Sequence, residues 1–430
     1  MKIAMIGAGS AIFAQGLMTD ILSWPALQDA TIALMDIDAA RLELIGALAD
    51  RLVREQRLPT RIETTTDRRA ALDGADYVIA MIQVGGVPAI GPDLAISQRY
   101  GVDQAVGDTL GPGGIFRGLR TIPPLLAICR DMEELCPHAL LLNYANPMAM
   151  NCRAIAAATK IRAIGLCHSV QGTSRRLAEF IGAPYEEIAH WVAGINHQAW
   201  FLRFERNGQD AYPALRAAMD DPAIYDRDRV RFEVMRHFGA FVTESSMHTS
   251  EYLPYFRRTP AIRDHHRLSW GHTMDGYIAS HERYYAQLQR QVAGTEPIPT
   301  GRTNEYCALI IHAIETGPPF RMNANVPNTG LITNLPEGCC VEVPCLVDDA
   351  GVHPCHVGAL PPQLAALNRT NISVQELAVK AALEGDREAV YQAVALDPLT
   401  ASVLTLDQCR RLTDDMFAAS APWLPRALQP

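Results

Sequence analysis

Short apolar runs alternate with amphipathic stretches through the first 170 residues, the pattern of repeated β-α-β units around a parallel sheet. The runs predict strands at Lys2–Ile6, Thr31–Met35, Tyr77–Ile82, Ala139–Leu142 and Ile161–Leu166. Ile12–Leu22, between the first two, predicts a helix, and Arg117–Glu134 predicts a long one. Four strands are followed by a residue that can face a ligand: Gly7, Asp36, Asn143 and Cys167. The third ends in Gln83, ahead of Gly85-Gly86. Ligands of open α/β sheets sit at these carboxyl ends. From about residue 185 the apolar runs are interrupted and aromatic, His and Pro residues become denser, which reads as a mixed α+β, substrate-facing lobe. The last hundred residues predict a strand at Cys340–Val347 and helices at Pro361–Leu383, Arg387–Leu396 and Asp407–Ala418.

Composition narrows the partners. The 430 residues suffice for two lobes on one large core, and their 48% hydrophobic and 20% charged content is ordinary for a globular protein. A net charge of −9 argues against nucleic acid, which needs a basic face. The chain enters its first strand at once, without the basic, apolar and small-residue regions of a signal peptide. No apolar run approaches the roughly 18 residues needed to span a bilayer, so a cytoplasmic location off the membrane is expected. The ten cysteines are scattered, with only Cys339-Cys340 adjacent and no CxxC pair. Structural zinc is not expected, and most thiols read as small buried hydrophobes.

Gly7-Ala8-Gly9 stands between a predicted strand and a predicted helix, the context of a phosphate-binding turn. The first Gly permits the turn, the second lets the backbone approach a pyrophosphate, and Ser10 adds a hydroxyl near the helix N-terminus. Ile12 replaces the third motif glycine. Asp36, 29 residues after Gly7, ends the second strand where an acid can hold the ribose hydroxyls of NAD and repel the 2′-phosphate of NADP. The expected organisation is a Rossmann-like NAD-binding half at 1–170, followed by an α+β substrate lobe at 171–430.

Three further stretches carry candidate chemistry. Cys167-His168 follows a strand, and Asn196-His197 interrupts an apolar run in Gly194–Trp200. A thiolate with an imidazole suits a borderline divalent ion, and two protein ligands leave positions for substrate or water. Asn143-Tyr144-Ala145-Asn146-Pro147 reads either as a pair of amides for sugar hydroxyls or as an Asn-Pro turn. Asp108–Gly114 reads as a flexible loop or as a wall against the nicotinamide. Thr243–Tyr255 is unusually polar between Phe241 and Phe256, and a tyrosine there becomes a usable base only beside a metal or an Arg. No convincing carboxylate pair for acid–base work stands out along the chain.

Together these blocks resemble glycoside hydrolase family 4, in its bacterial α-galactosidase branch. The resemblance runs end to end through Ala8-Gly9-Ser10, Ala33–Asp38, Asp108–Gly114, Asn143–Pro147, Gly165–Gln171, Gly194–His197, Phe241–Ser246 and Gly338–Val343. It implies a lactate/malate dehydrogenase-like fold and hydrolysis of α-galactosides with NAD and a divalent metal, Mn²⁺ foremost. The cycle it implies is oxidation at sugar carbon 3, elimination, addition of water and reduction. It further implies Cys167 and His197 as metal ligands, Tyr252 as the base with Tyr255 as fallback, and His168 assisting the leaving oxygen. Gly7, Gly9, Ser10, Asp36 and Asp108 would bind the cofactor, and Asn146, Asn196 and Arg302 the sugar, although the spacing around Arg302 departs from the family pattern. The Cys-His-Ser-Val form points to a non-phosphorylated sugar, with glucosides and uronides as rivals. The resemblance implies a homodimer or homotetramer. A plain NAD-dependent 2-hydroxy acid dehydrogenase is the more remote reading.

Overall fold

A computed structural model of the chain describes residues 1–10, 13–269 and 274–429. Six parallel strands come first: β1 (Lys2–Ile6), β2 (Thr31–Met35), β3 (Arg61–Thr65), β4 (Tyr77–Ala80), β5 (Leu140–Asn143) and β6 (Ala163–Gly165). The second half adds antiparallel strands β7 (Ile188–Ile195), β8 (Gln198–Arg206), β9 (Gln209–Asp210), β10 (Phe320–Pro327), β11 (Cys340–Asp348) and β12 (Gly351–Pro354). All join one sheet of order β3-β2-β1-β4-β5-β6-β10-β11-β7-β8-β9, with β12 on β11. The parallel part has the 3-2-1-4-5-6 order of dinucleotide-binding folds, so the Rossmann-like α/β expectation holds.

Every residue of β4 and β5 is buried, because helices cover both faces of the parallel sheet and leave no wet face to mark with polar residues. Of the six parallel strands, the one absent from the sequence reading is β3, Arg-Ile-Glu-Thr-Thr, an edge strand with no buried residue and hence no apolar signal. The expected helices form at Ala14–Leu22, Pro362–Glu384, Arg387–Leu396 and Leu406–Ser420. The long helix starts earlier than expected, spanning Gly111–Leu135, with Pro112 in its first turn. The sheet crosses residue 170 through the β6–β10 pairing of Gly165 with Asn325, and the main apolar core draws on both halves. No helix among the described residues is long and apolar enough to cross a membrane.

Candidate active site

The carboxyl ends of β1, β2, β4, β5 and β6 open on one edge of the sheet, and the chemistry collects there. After β1, Gly7 lies at φ +88°, where a Cβ would meet the backbone of Met81 and Ile82 at 3.0 Å. Its N–H and that of Ala8 both donate to the Met35 carbonyl at 2.9 Å. Gly9 N–H donates to Asp36 Oδ2 at 2.8 Å, and a Cβ on Gly9 would fall 2.7 Å from that oxygen. The strand-end acid and the glycine turn therefore form one unit, with Ser10 N–H closing it onto the Gly7 carbonyl at 3.1 Å. Ile12, at the third glycine's position, lies outside the described residues.

Past β6, Cys167 meets the hairpin of β7 and β8. Its two-residue turn is Asn196-His197, which explains why two polar residues interrupt an apolar run. Ligand atoms of Cys167, His197 and Glu244 all lie within 4.8 Å of one another. His197 (φ +63°) and Glu244 (φ +74°) both hold left-handed backbone, which is uncommon away from glycine and concentrates at functional sites. Glu244 is brought in because Thr243 N–H donates to the Ala199 carbonyl at 2.8 Å, docking its segment on β8, and Ser245 then caps the next helix, Ser246–Tyr252.

Behind the three stands Glu342 of β11, fully buried, beside Asn196 and the His197 backbone, with neither carboxylate oxygen in a hydrogen bond. Burial, reinforced by the carboxylates of Glu342 and Glu244, pushes the Cys167 thiol up to about 12. Burial likewise lifts Glu342 to about 7, with Glu244 adding to the rise. For Glu244 burial works in the same direction, but the imidazoles of His197 and His248 outweigh it and hold the carboxyl at about 2. Sulfur, nitrogen and oxygen donors converge here beside a buried carboxylate with unused oxygens. That donor set fits a divalent cation.

The helix Ser246–Tyr252 supplies the adjoining wall. Tyr252 is 2% exposed and donates to Thr109 Oγ1 at 2.8 Å. Thr109 Oγ1 lies 2.9 Å from His248 Nε2, which lies 3.2 Å from His197 Nδ1, so contacts run unbroken from phenol to the Cys167 cluster. Glu251 pins the opposing loop by accepting from Val106 N–H at 2.9 Å and Gly107 N–H at 3.0 Å. Burial raises Glu251 to about 8 and Tyr252 well above its ordinary 10. Such a phenol becomes a base only where a nearby cation and a hydroxyl donor offset its burial.

Model matching assigns residues 2–183 to the family 4 glycosyl hydrolases and residues 192–400 to the C-terminal domain of that family. The chain is 43% identical to an α-galactosidase of Bacillus subtilis, covering 99% of both chains. It is 40% identical to an α-galactosidase of Rhizobium meliloti, covering 99% of this chain and 89% of that one. The chain belongs to family 4 of the glycosyl hydrolases. Among solved structures, a Bacillus subtilis protein described as a glucosidase superposes with a TM-score of 0.88 at 29% identity, over 97% of this chain and 99% of that one. A Thermotoga maritima 6-phospho-β-glucosidase with manganese, NAD⁺ and glucose 6-phosphate shares the fold at a TM-score of 0.83 and 20% identity, covering 99% of both. A Plasmodium falciparum malate dehydrogenase follows at 0.52 and 12%, over 89% of this chain and 99% of that one, in keeping with the expected dehydrogenase-like fold.

In this family 4 chain the expected site residues fall into two groups. Cys167, His197, Asn196, Asn146 and Tyr252 converge, and His168 joins them at the rim, its Nδ1 3.2 Å from Glu305 Oε1. That carboxylate outweighs burial and raises the His168 imidazole to about 9. Asp108, expected at the cofactor, accepts from Asn146 Nδ2 at 2.9 Å and lies 3.8 Å from His248 and 3.9 Å from Arg117. Burial opposes its ionisation, but Arg117, His248 and His197 hold its carboxyl below the usual range.

Arg302 and Tyr255 stand away from the converging residues, and Asn143 takes the turn reading of the two left open. Arg302 stacks 3.6 Å over Trp24 and donates to Ser23 Oγ at 2.8 Å, because Thr303 N–H is pinned to Asp20 at 2.7 Å; it is not brought to the sugar residues. Tyr255 is 45% exposed against Phe238, out of the cluster. Asn143 turns inward, donating to the Ala145 carbonyl and accepting from Ala145 N–H, so it builds the turn rather than facing a sugar. Sequence reasoning passed over Glu244, Glu342, Thr109, His248 and Glu251 in these roles. Glu244, His248 and Glu251 lay inside the polar stretch singled out for its tyrosines.

Proposed function

We propose that this chain hydrolyses α-galactosides through oxidation, elimination, addition of water and reduction, using NAD⁺ and a divalent cation, Mn²⁺ foremost. The observation that carries the proposal is the convergence of Cys167, His197 and Glu244 within 4.8 Å, linked through His248 and Thr109 to the phenol of Tyr252. Identities of 43% and 40% to two α-galactosidases supply the sugar. When bound, NAD⁺ supplies a hydride acceptor and donor for sugar carbon 3, and the cation supplies Lewis acidity that makes the neighbouring C–H removable by a modest base.

The chain's residues would divide the remaining work. Gly7, Gly9 and Ser10 offer backbone and hydroxyl donors to a pyrophosphate, and Asp36 takes the ribose hydroxyls. Cys167, His197 and Glu244 hold the cation. Tyr252 removes the proton from carbon 2, with the Thr109 hydroxyl turning to donate to the phenolate. His168, kept protonated by Glu305, gives its proton to the departing glycosidic oxygen. Asn146 and Asn196 bind sugar hydroxyls, and Asp108 fixes the Asn146 amide. A panel of aryl α-glycosides (galactoside, glucoside, glucuronide, galacturonide) assayed with NAD⁺, Mn²⁺ and a reductant tests the reading. Fastest turnover of the galactoside is expected, and preference for another sugar would replace it.

A further inference from the structure

The helix Met274–Val292 comes from the second half of the chain, yet it packs on two helices of the first half, Ala39–Gln56 and Gly86–Arg99. Those helices follow β2 and β4, which flank β1 on either side. The helix therefore bridges the carboxyl end of β1, over the Gly7–Ser10 turn. Tyr277, His281 and Tyr285 recur every four residues and so share one face, a stripe about 12 Å long at 1.5 Å per residue. That face meets the groove from end to end. Tyr285 hydroxyl donates to the Gly9 carbonyl at 2.7 Å, the Arg41 guanidinium lies 5.0 Å over the Tyr285 ring, and Tyr277 hydroxyl is 3.2 Å from the Gln83 amide. Between the tyrosines, His281 stacks 4.5 Å from Tyr277 and keeps a buried Nε2 with no hydrogen-bond partner. Of the helix's described residues only Leu288 and Gln291 are buried, and Leu288 alone enters the main core, so polar and aromatic contacts do much of the holding.

We propose that this helix is the outer wall of the dinucleotide site, a strap whose Tyr277, His281 and Tyr285 cover bound NAD and slow its release. The proposal rests on the reading that the chain binds NAD. It has a functional rationale: a cofactor that regains its hydride in every cycle need not exchange, so slow release does not limit turnover.

The test uses the full chain and follows NADH release by stopped-flow fluorescence, with Kd from calorimetry. Tyr285→Phe and Tyr277→Phe should each speed release about fivefold, and the double variant about thirtyfold, the loss of one and two net hydrogen bonds. Kd should rise in parallel. Arg283→Ala is the control: its guanidinium bonds Ser280 at the surface, and release should not change. In the wild-type chain, NAD⁺ should slow amide exchange along residues 277–289, a readout that survives any folding defect of the variants. Unchanged release in a double variant that still binds NADH would overturn the strap. So would tighter binding with faster association, which would make the helix an obstruction. A wild-type chain that binds no NAD⁺ would defeat the functional reading itself, and the strap with it.

Discussion

Thr109→Val keeps the shape of a buried side chain and deletes the hydroxyl that meets both Tyr252 Oη, at 2.8 Å, and His248 Nε2, at 2.9 Å. In the resting site that hydroxyl accepts a neutral hydrogen bond, worth about 1 kcal/mol net, whereas toward a phenolate it donates a charge-assisted one worth about 1.5–3 kcal/mol. The difference, about 0.5–2 kcal/mol, is what proton removal loses, or about 2- to 30-fold in kcat/KM. The fold should lose about 1–3 kcal/mol as well, because the buried Tyr252 hydroxyl loses its partner. The assay compares hydrolysis of an aryl α-galactoside with that of its 2-deuterated form. The isotope effect should grow in Thr109→Val, where proton removal becomes more limiting, and Thr109→Ser should restore both rate and isotope effect. Wild-type kcat/KM in the valine variant, or a loss confined to KM with an unchanged isotope effect, would refute the role given to this hydroxyl.

The other predictions concern the cation, the base and pH. Chelation should abolish activity and Mn²⁺ restore it; Glu244→Gln should weaken Mn²⁺ binding roughly 10- to 100-fold by electron paramagnetic resonance, and Cys167→Ser should prevent restoration. Tyr252→Phe should lower kcat by roughly 10²-fold or more, while Tyr255→Phe, an exposed position, stays within about twofold; equal losses would reopen the assignment. Glu342 and Glu251 have folded pKa values raised to about 7 and about 8 from 4.5. The folded, metal-free chain therefore holds more protons than the unfolded chain above pH 4.5, and its stability should fall as pH rises from about 5 to 8. Denaturant melts should show that slope and its reduction in Glu342→Gln; stability rising with pH over this window would contradict the stated burial.

β1 and β2 were legible to the residue because their apolar runs end at Gly7 and at Asp36, where the chain must turn. By contrast β3 was silent, since an edge strand buries no residue. Asn196-His197 drew notice as chemistry, and it is also a hairpin turn; one pair of residues satisfies both demands. Glu244 could not be told from any loop acid, because what distinguishes it is a left-handed backbone 74° in φ and its approach to His197, 47 residues earlier. Glu342 was hidden in an apolar strand, where one acid suggests a wet face and the fold instead buries it completely. Arg302 already stood out of the family's spacing, and the structure ties it elsewhere through its neighbour Thr303.

The central claim is hydrolysis by elimination with the cofactor regenerated in place. Hydrolysis of an α-galactoside in deuterated water, with the released sugar read by proton NMR and NADH absorbance followed in parallel, tests it most directly. Tyr252 exchanges its captured proton with solvent, so the sugar should carry deuterium at carbon 2 while net NADH stays at zero. Sugar that keeps protium at carbon 2, or NADH that accumulates with product, would contradict the account.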